Sequence, residues 1–78
     1  MNRRDLMHRQ LDTMYSVGAA IAAARSKRGW SQQQTADRAG VSRSWLAQVE
    51  LGKPAFDFRR VLLVFNTLGL RLEVNDGE

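Results

Sequence analysis

The chain of 78 residues has no cysteine and one histidine, His8, and these shortages exclude most kinds of reactive site. Without thiols there is neither a disulfide nor a thiolate metal site, which fits a reducing compartment. A zinc site or a serine–histidine–acid triad would have to be built around His8 alone. Its glycines are spread along the chain, and none forms a phosphate-cradling loop. We therefore expect no catalytic residue, no metal and no cofactor.

Long apolar runs are also lacking. The longest covers residues 19–24, far short of the roughly 20 residues that cross a bilayer. The opening MNRRDLMHRQ is basic without an apolar stretch behind it, so we expect no secretory signal and a cytoplasmic location. With 44% apolar and 26% charged residues, the composition is that of one small globular domain.

Charge is unevenly distributed along the chain. Residues 1–60 contain eleven Lys and Arg against five Asp and Glu, whereas residues 61–78 contain one Arg against three acidic residues. A basic body suits a polyanion on one of its faces. Composition alone leaves this open, since many basic proteins bind no nucleic acid.

Four glycines follow segments with helical spacing, at positions where a residue with positive φ closes a helix. The first predicted helix starts between residues 13 and 16 and ends at 28, and the second covers 32–39 after an N-cap at Ser31. The third runs from Ser42 to about 51, and the fourth covers 58–68 after Asp57. The glycines are Gly29, Gly40, Gly52 and Gly69.

Apolar residues at helical spacing predict the core. The inward residues are Val17, Ala20, Ile21 and Ala24, then Ala36 and Ala39, then Leu46 and Val49, then Phe58, Val61, Leu62 and Phe65. Leu63 and Val64 extend the apolar surface of the last helix beyond this stripe, which indicates contact with a partner.

The two ends of the chain differ from the helical middle, residues 13–69. Leu70, Leu72 and Val74 alternate with polar residues, which predicts a strand over residues 70–78. A single strand needs a partner, so we expect it to pair with the same strand of a second copy. The expected dimer interface is Leu63, Val64, Leu70, Leu72 and Val74. Residues 1–12 read as a basic arm or a frayed helix.

The middle of the chain has the pattern of two helices joined through a tight turn. Ala36 is small where the helix backbones would approach, and Gly40 tolerates positive φ in the turn. Val41, Leu46 and Val49 then hold the following helix to the core. This predicts a mainly α helix-turn-helix bundle of four to five short helices, with the C-terminal strand pairing across a homodimer. The pattern resembles that of lambda-repressor-like bundles.

The stretch GWSQQQTADRAGVSRSWLAQVELGKP resembles the DNA-binding core of Xre/Cro/cI-type helix-turn-helix regulators, and the resemblance covers about residues 14–70. Helices followed by GLRLEV resemble, more narrowly, HipB-like antitoxins, in which such a strand pairs across a dimer. Thr35 departs from the pattern, because the family usually has leucine there. We expect a slightly underpacked second helix and a hydroxyl that needs a partner.

The helix after the turn is the one that enters the major groove. With Leu46 and Val49 buried, the residues projecting outward are Arg43, Ser44, Ala47 and Gln48. Arginine matches the O6 and N7 of guanine, glutamine the N6 and N7 of adenine, and alanine a thymine methyl. The resemblance implies that Arg43, Ser44 and Gln48 read bases. The alternative is an exposed face of solvated polar residues.

Phosphate contacts are expected from Gln32, Ser42, Trp45, Lys53 and Arg38. Trp45 is either half-buried against the second helix or stacked along a sugar–phosphate edge, and these are compatible. Arg38 is equally a solvated charge. The family resemblance also implies an ion pair between Arg25 and Glu50 that ties the first helix to the third.

The resemblance implies a cytoplasmic bacterial repressor, nucleoid-associated when bound to double-stranded DNA, in the narrower form a homodimeric antitoxin that represses its own operon. The alternatives are a protein-interaction antitoxin that mainly binds a HipA-like kinase toxin, and a solitary Xre-type regulator without a toxin. The apolar fourth helix and the strand serve dimerisation in each, so they do not discriminate.

Overall fold

The computed structural model describes residues 13–53 and 57–73. Within these residues there are four helices, α1 (Met14–Arg28), α2 (Gln32–Ala39), α3 (Arg43–Glu50) and α4 (Phe58–Thr67). None of these described helices is long and apolar enough to span a bilayer. Their order and bounds agree with the helices predicted from the sequence.

Local side-chain chemistry explains where the helices begin. Ser31 accepts a hydrogen bond from the N–H of Gln34 at 3.0 Å, and the Gln34 side chain accepts one from the N–H of Ser31 at 2.8 Å. This reciprocal pair satisfies two donors that a helix start leaves without partners. Ser42 and Asp57 cap α3 and α4 in the simpler way, each accepting from an N–H in the first turn.

The core lies where α1 and α2 pack on α3 and where α4 packs on α2. Ile21, Leu46, Val49 and Val64 have no exposed surface. The cluster consists of Val17, Ile21, Ala36, Ala39, Trp45, Leu46, Val49, Val61, Val64, Phe65 and Leu68. The inward residues predicted for the second and third helices are therefore correct, and those of the first helix are buried or partly buried.

The rotation of α4 about its axis differs from the predicted one. Phe58 and Leu62, expected in the core, are 51% and 40% exposed, whereas Val64, expected in a dimer interface, is completely buried. The helix is apolar on more than one side, and residues 61, 64, 65 and 68 form a second stripe at helical spacing. Packing against α2 selects that stripe.

The described part of the tail, residues 70–73, forms no strand. Leu70 packs against the core, where its N–H donates to the carbonyl of Phe65 at 2.8 Å, and Leu72 is 38% exposed. Val74 and the arm or frayed helix expected over residues 1–12 lie outside the described residues.

Candidate nucleic-acid interface

The turn between α2 and α3 is closed by Gly40, which has φ +76°. The N–H groups of Gly40 and Val41 both donate to the carbonyl of Ala36, at 2.9 and 3.0 Å. Left-handed backbone of this kind favours glycine, because a Cβ there meets the following carbonyl. The turn brings Ala36 into the core with no exposed surface, as the spacing predicted.

The helix after the turn is anchored from one side only. Leu46 and Val49 are completely buried and Trp45 is 7% exposed. Arg43, Ser44 and Gln48 are exposed on the other side of α3, with Ala47 half-buried between them. The predicted reading residues therefore share one open face, and they offer guanidinium, hydroxyl, amide and methyl groups to whatever docks there.

Gly18 allows α1 and α3 to approach closely. A Cβ built on Gly18 would overlap the carbonyl oxygen of Val49 and lie 3.1 Å from the Cα of Glu50. Contact at this distance between two helix backbones is open only to glycine. The distance between the backbones of α1 and α3 therefore depends on having glycine at position 18.

Arg25 and Glu50 form the expected ion pair in bidentate geometry. The Nε and Nη2 of Arg25 donate to the two carboxylate oxygens of Glu50 at 2.8 and 2.9 Å, and Nη1 donates to the carbonyl of Trp30 at 2.9 Å. The Glu50 side chain is 7% exposed. Its hydrogen bonds to the guanidinium raise the pKa of Arg25 above the ordinary value, so Arg25 remains charged.

Gln32 shares the same carboxylate. Its side-chain amide donates to Oε1 of Glu50 at 3.1 Å, so the first residue of α2 is tied to the last residue of α3. The predicted phosphate contact of Gln32 thus lies beside an acidic group whose charge Arg25 balances. Gln32 is partly buried, while its neighbours Ser31 and Gln33 at the start of α2 are exposed.

Trp45 corrects one prediction. Its burial within the core leaves no ring face for stacking along a sugar–phosphate edge, and the guanidinium carbon of Arg60 lies 5.8 Å from the ring centre. Of the two alternatives, packing inside the domain is the one observed. The ring adds to the anchoring of α3 from behind.

The remaining predicted phosphate residues lie at the start of α3, after its end and in α2. Lys53 is exposed three residues after α3 ends, and the Ser42 hydroxyl caps α3 by accepting from the N–H of Trp45 at 3.0 Å. The Arg38 side chain lies over Trp30, with its guanidinium carbon 4.1 Å from the ring centre. This cation–π contact restrains Arg38, although the residue is exposed.

Residues 16–74 match the family described as the helix-turn-helix domain. The chain belongs to this family. The match covers the turn at Gly40, both helices that flank it, and α4. The resemblance to Xre-type helix-turn-helix regulators seen in the sequence is thereby confirmed.

Individual helix-turn-helix proteins are similar over most of the chain. An uncharacterized HTH-type transcriptional regulator of Sinorhizobium fredii is 29% identical over 68 residues, which cover 87% of this chain and 90% of that protein. A chain in the structure of a HipA–HipB–O2–O3 complex superposes with a TM-score of 0.79 and 15% identity, over 91% of this chain and 100% of that one. SinR, a master regulator for biofilm formation solved in complex with DNA, has a TM-score of 0.65 and 25% identity, over 70% and 89%.

Two residues that join helices distant in the sequence were missed: Gly18, between α1 and α3, and Arg28, between α1 and the end of α4. Gly18 lies inside a helix rather than at its end, and a glycine among alanines is the signal that marks it. Arg28, in the last turn of α1, donates from Nε and Nη2 to the carbonyl of Leu68 at 3.1 and 2.8 Å. It thereby satisfies the end of α4, a pairing over 40 residues that no local pattern contains.

Proposed function

We propose that this helix-turn-helix protein is a sequence-specific DNA-binding repressor that inserts α3 into the major groove. The observation that carries the proposal is the exposure of Arg43, Ser44 and Gln48 on a helix whose opposite side is buried. Helices held in this way present a rigid set of side chains to base edges. SinR, which is similar in fold and was solved with DNA, supports the assignment.

The chemistry of this face suits direct readout of bases. Arg43, in the first turn of α3, can bind the O6 and N7 of guanine with two donors. Gln48 can bind the N6 and N7 of adenine, and Ala47 can contact a thymine methyl.

Phosphate contacts would surround the exposed face of α3 formed by Arg43, Ser44, Ala47 and Gln48, which we call the reading face. We assign them to Lys53, Ser42 and the start of α2 at Gln32, with Arg38 as a weaker candidate because of its contact with Trp30. The lysine supplies the charge, and the helix start supplies N–H groups and a favourable dipole. Binding should therefore weaken steeply with salt.

A homodimer fits a short recognition helix, because two copies related by a two-fold axis read half-sites about one DNA turn apart. Leu63 and Leu72 are each 38% exposed and remain proposed interface residues, as do Leu70 and Val74. The exposed Leu62 and Phe58 extend this apolar surface. We propose that residues 70–78 become a strand by pairing with the second copy.

The test is specificity after removing one reading residue. An operator would be selected from a random duplex pool with the unaltered protein, and binding would be titrated against it and against mixed-sequence DNA. Arg43→Ala should reduce the preference for the operator over mixed sequence by about 1–3 kcal/mol per half-site, because that is the discrimination a bidentate contact to guanine contributes. Unchanged preference for the operator would show that α3 does not read it.

Lys53→Ala is the matched comparison. It should weaken binding to both DNAs alike and lower the slope of log affinity against log salt by about one for each bound subunit, because each subunit loses one phosphate contact. Loss of specificity in this variant instead would move base readout away from Arg43.

Within this function we propose a HipB-like antitoxin that represses its own operon. The fold shared with a chain of the HipA–HipB–O2–O3 complex over the whole of that chain supports this choice over a solitary regulator. It equally supports the alternative in which binding a HipA-like kinase toxin is the main role. Co-purification with the product of an adjacent kinase-like gene, if one is present, would decide for a toxin partner, and the Arg43→Ala variant should still bind it.

A further inference from the structure

Two large apolar side chains stand out on the described surface. Tyr15 is 71% exposed and Leu51 is 68% exposed, more than any other large apolar residue of the described part. Tyr15 is in the first turn of α1, and Leu51 follows the last residue of α3. Neither belongs to the predicted reading set or to the apolar surface on α4. Both lie near the C-terminal end of α3.

Leu51 continues the exposed face of α3. Its N–H donates to the carbonyls of Ala47 and Gln48, both at 3.2 Å, and its backbone is still right-handed helical. A residue three and four positions after Gln48 and Ala47 lies on the same side of a helix as they do. The reading face therefore ends in an apolar side chain rather than at Gln48.

Tyr15, in α1, lies against Gly52, two residues after the end of α3. The Cα of Tyr15 is 3.1 Å and its Cδ2 3.3 Å from where a Cβ on Gly52 would be, so the ring packs over the Gly52 backbone. The next residue is Lys53, which is exposed. Tyr15 thus packs on the glycine that separates the exposed Leu51 from the exposed Lys53, and we call these three residues the α3-end patch.

We infer that the α3-end patch is a DNA-backbone site in which the Tyr15 hydroxyl donates to a phosphate oxygen beside the phosphate bound by Lys53. This inference rests on the proposed function. Leu51 would lie against the deoxyribose between them. The patch combines a cation, a phenol donor and apolar surface, and it is continuous with the reading face. A protein partner for so small an apolar surface would not require the adjoining charge.

The first test uses the absence of charge on tyrosine. Tyr15→Phe keeps the ring over Gly52 and removes only the hydroxyl, so the affinity for operator and for mixed-sequence duplex should fall alike, by roughly ten-fold. The salt slope should stay unchanged, because no cation is lost. Lys53→Ala, in contrast, should reduce that slope.

The matched control is Ser26→Ala, which removes an exposed hydroxyl from the other end of α1, about 16 Å along the helix axis. Its affinity for DNA should equal that of the unaltered protein. Equal affinity of Tyr15→Phe and the unaltered protein would overturn the inference, and so would a Tyr15→Phe variant that changes oligomeric state in size-exclusion chromatography without DNA.

A second test measures the contact directly. Tyr15 is the single tyrosine of the chain, so nitration with tetranitromethane has one tyrosine product. Saturating duplex DNA should slow this reaction at least several-fold. If the protein binds DNA and Arg43→Ala loses specificity while Tyr15 reacts at the same rate, the α3-end patch is wrong and the proposed function stands. If no duplex binds, both fail.

Discussion

Replacing Gly18 by alanine should destabilise the domain, although alanine is the better helix former. The added Cβ would overlap the carbonyl oxygen of Val49 and lie 3.0 Å from its carbonyl carbon. Both are backbone atoms, so no change of rotamer relieves the contact, and α1 and α3 must separate. Overpacking costs about 1–3 kcal/mol, and alanine regains roughly 0.5–1 kcal/mol of helix propensity. Because the obstruction is rigid, we expect a net loss of about 2 kcal/mol.

Thermal melts followed by far-UV circular dichroism measure this loss. For a domain of this size, about 2 kcal/mol corresponds to a Tm lower by roughly 8–16 °C. The control is Ala23→Gly, at an exposed position of the same helix, which isolates helix propensity and should cost about 0.5–1 kcal/mol. A Gly18→Ala protein that melts at or above the unaltered protein would refute the close approach of the two backbones.

Two further predictions concern buried polar groups. Glu50→Ala should lower the free energy of unfolding in urea by about 3–5 kcal/mol, because Arg25 is left without its carboxylate in a partly buried site, and an unchanged unfolding midpoint would reject this role. Thr35→Val should change the same quantity by less than about 1 kcal/mol, because the Ser31 carbonyl that accepts from the Thr35 hydroxyl also accepts from the Thr35 N–H. A loss above about 2 kcal/mol would show that the hydroxyl is required.

Features governed by local chemistry were predictable from the sequence. The N-caps at Ser31, Ser42 and Asp57 and the glycine ends of the helices depend on groups within four residues of each other, and the structure has them as predicted. The family resemblance added the ion pair of Arg25 with Glu50, a contact over 25 residues. The exposure of Arg43, Ser44 and Gln48 follows from the burial of Leu46 and Val49.

Features decided by packing between helices could not be predicted from the sequence. In α4 two stripes have helical spacing, and only contact with α2 determines that Val64 and Leu68 are inside while Phe58 and Leu62 are outside. Trp45 is compatible with either face until the space behind α3 is known. The partners of Gly18 are 31 and 32 residues away, so no window of helical length contains them.

The helix that fixes the position of the proposed reading face is therefore α1, which lies outside the two-helix motif. Gly18 sets how closely α3 approaches, and Arg25 holds its last residue through Glu50, which in turn holds Gln32 at the start of α2. The positions of both proposed DNA-contacting segments, α3 and the start of α2, therefore depend on contacts with α1. Substitutions on the buried side of α1 should alter DNA affinity without touching DNA, because a displacement of about 1 Å at α3 is enough to spoil paired hydrogen bonds to a base. Through Tyr15, α1 would also contact the DNA backbone directly.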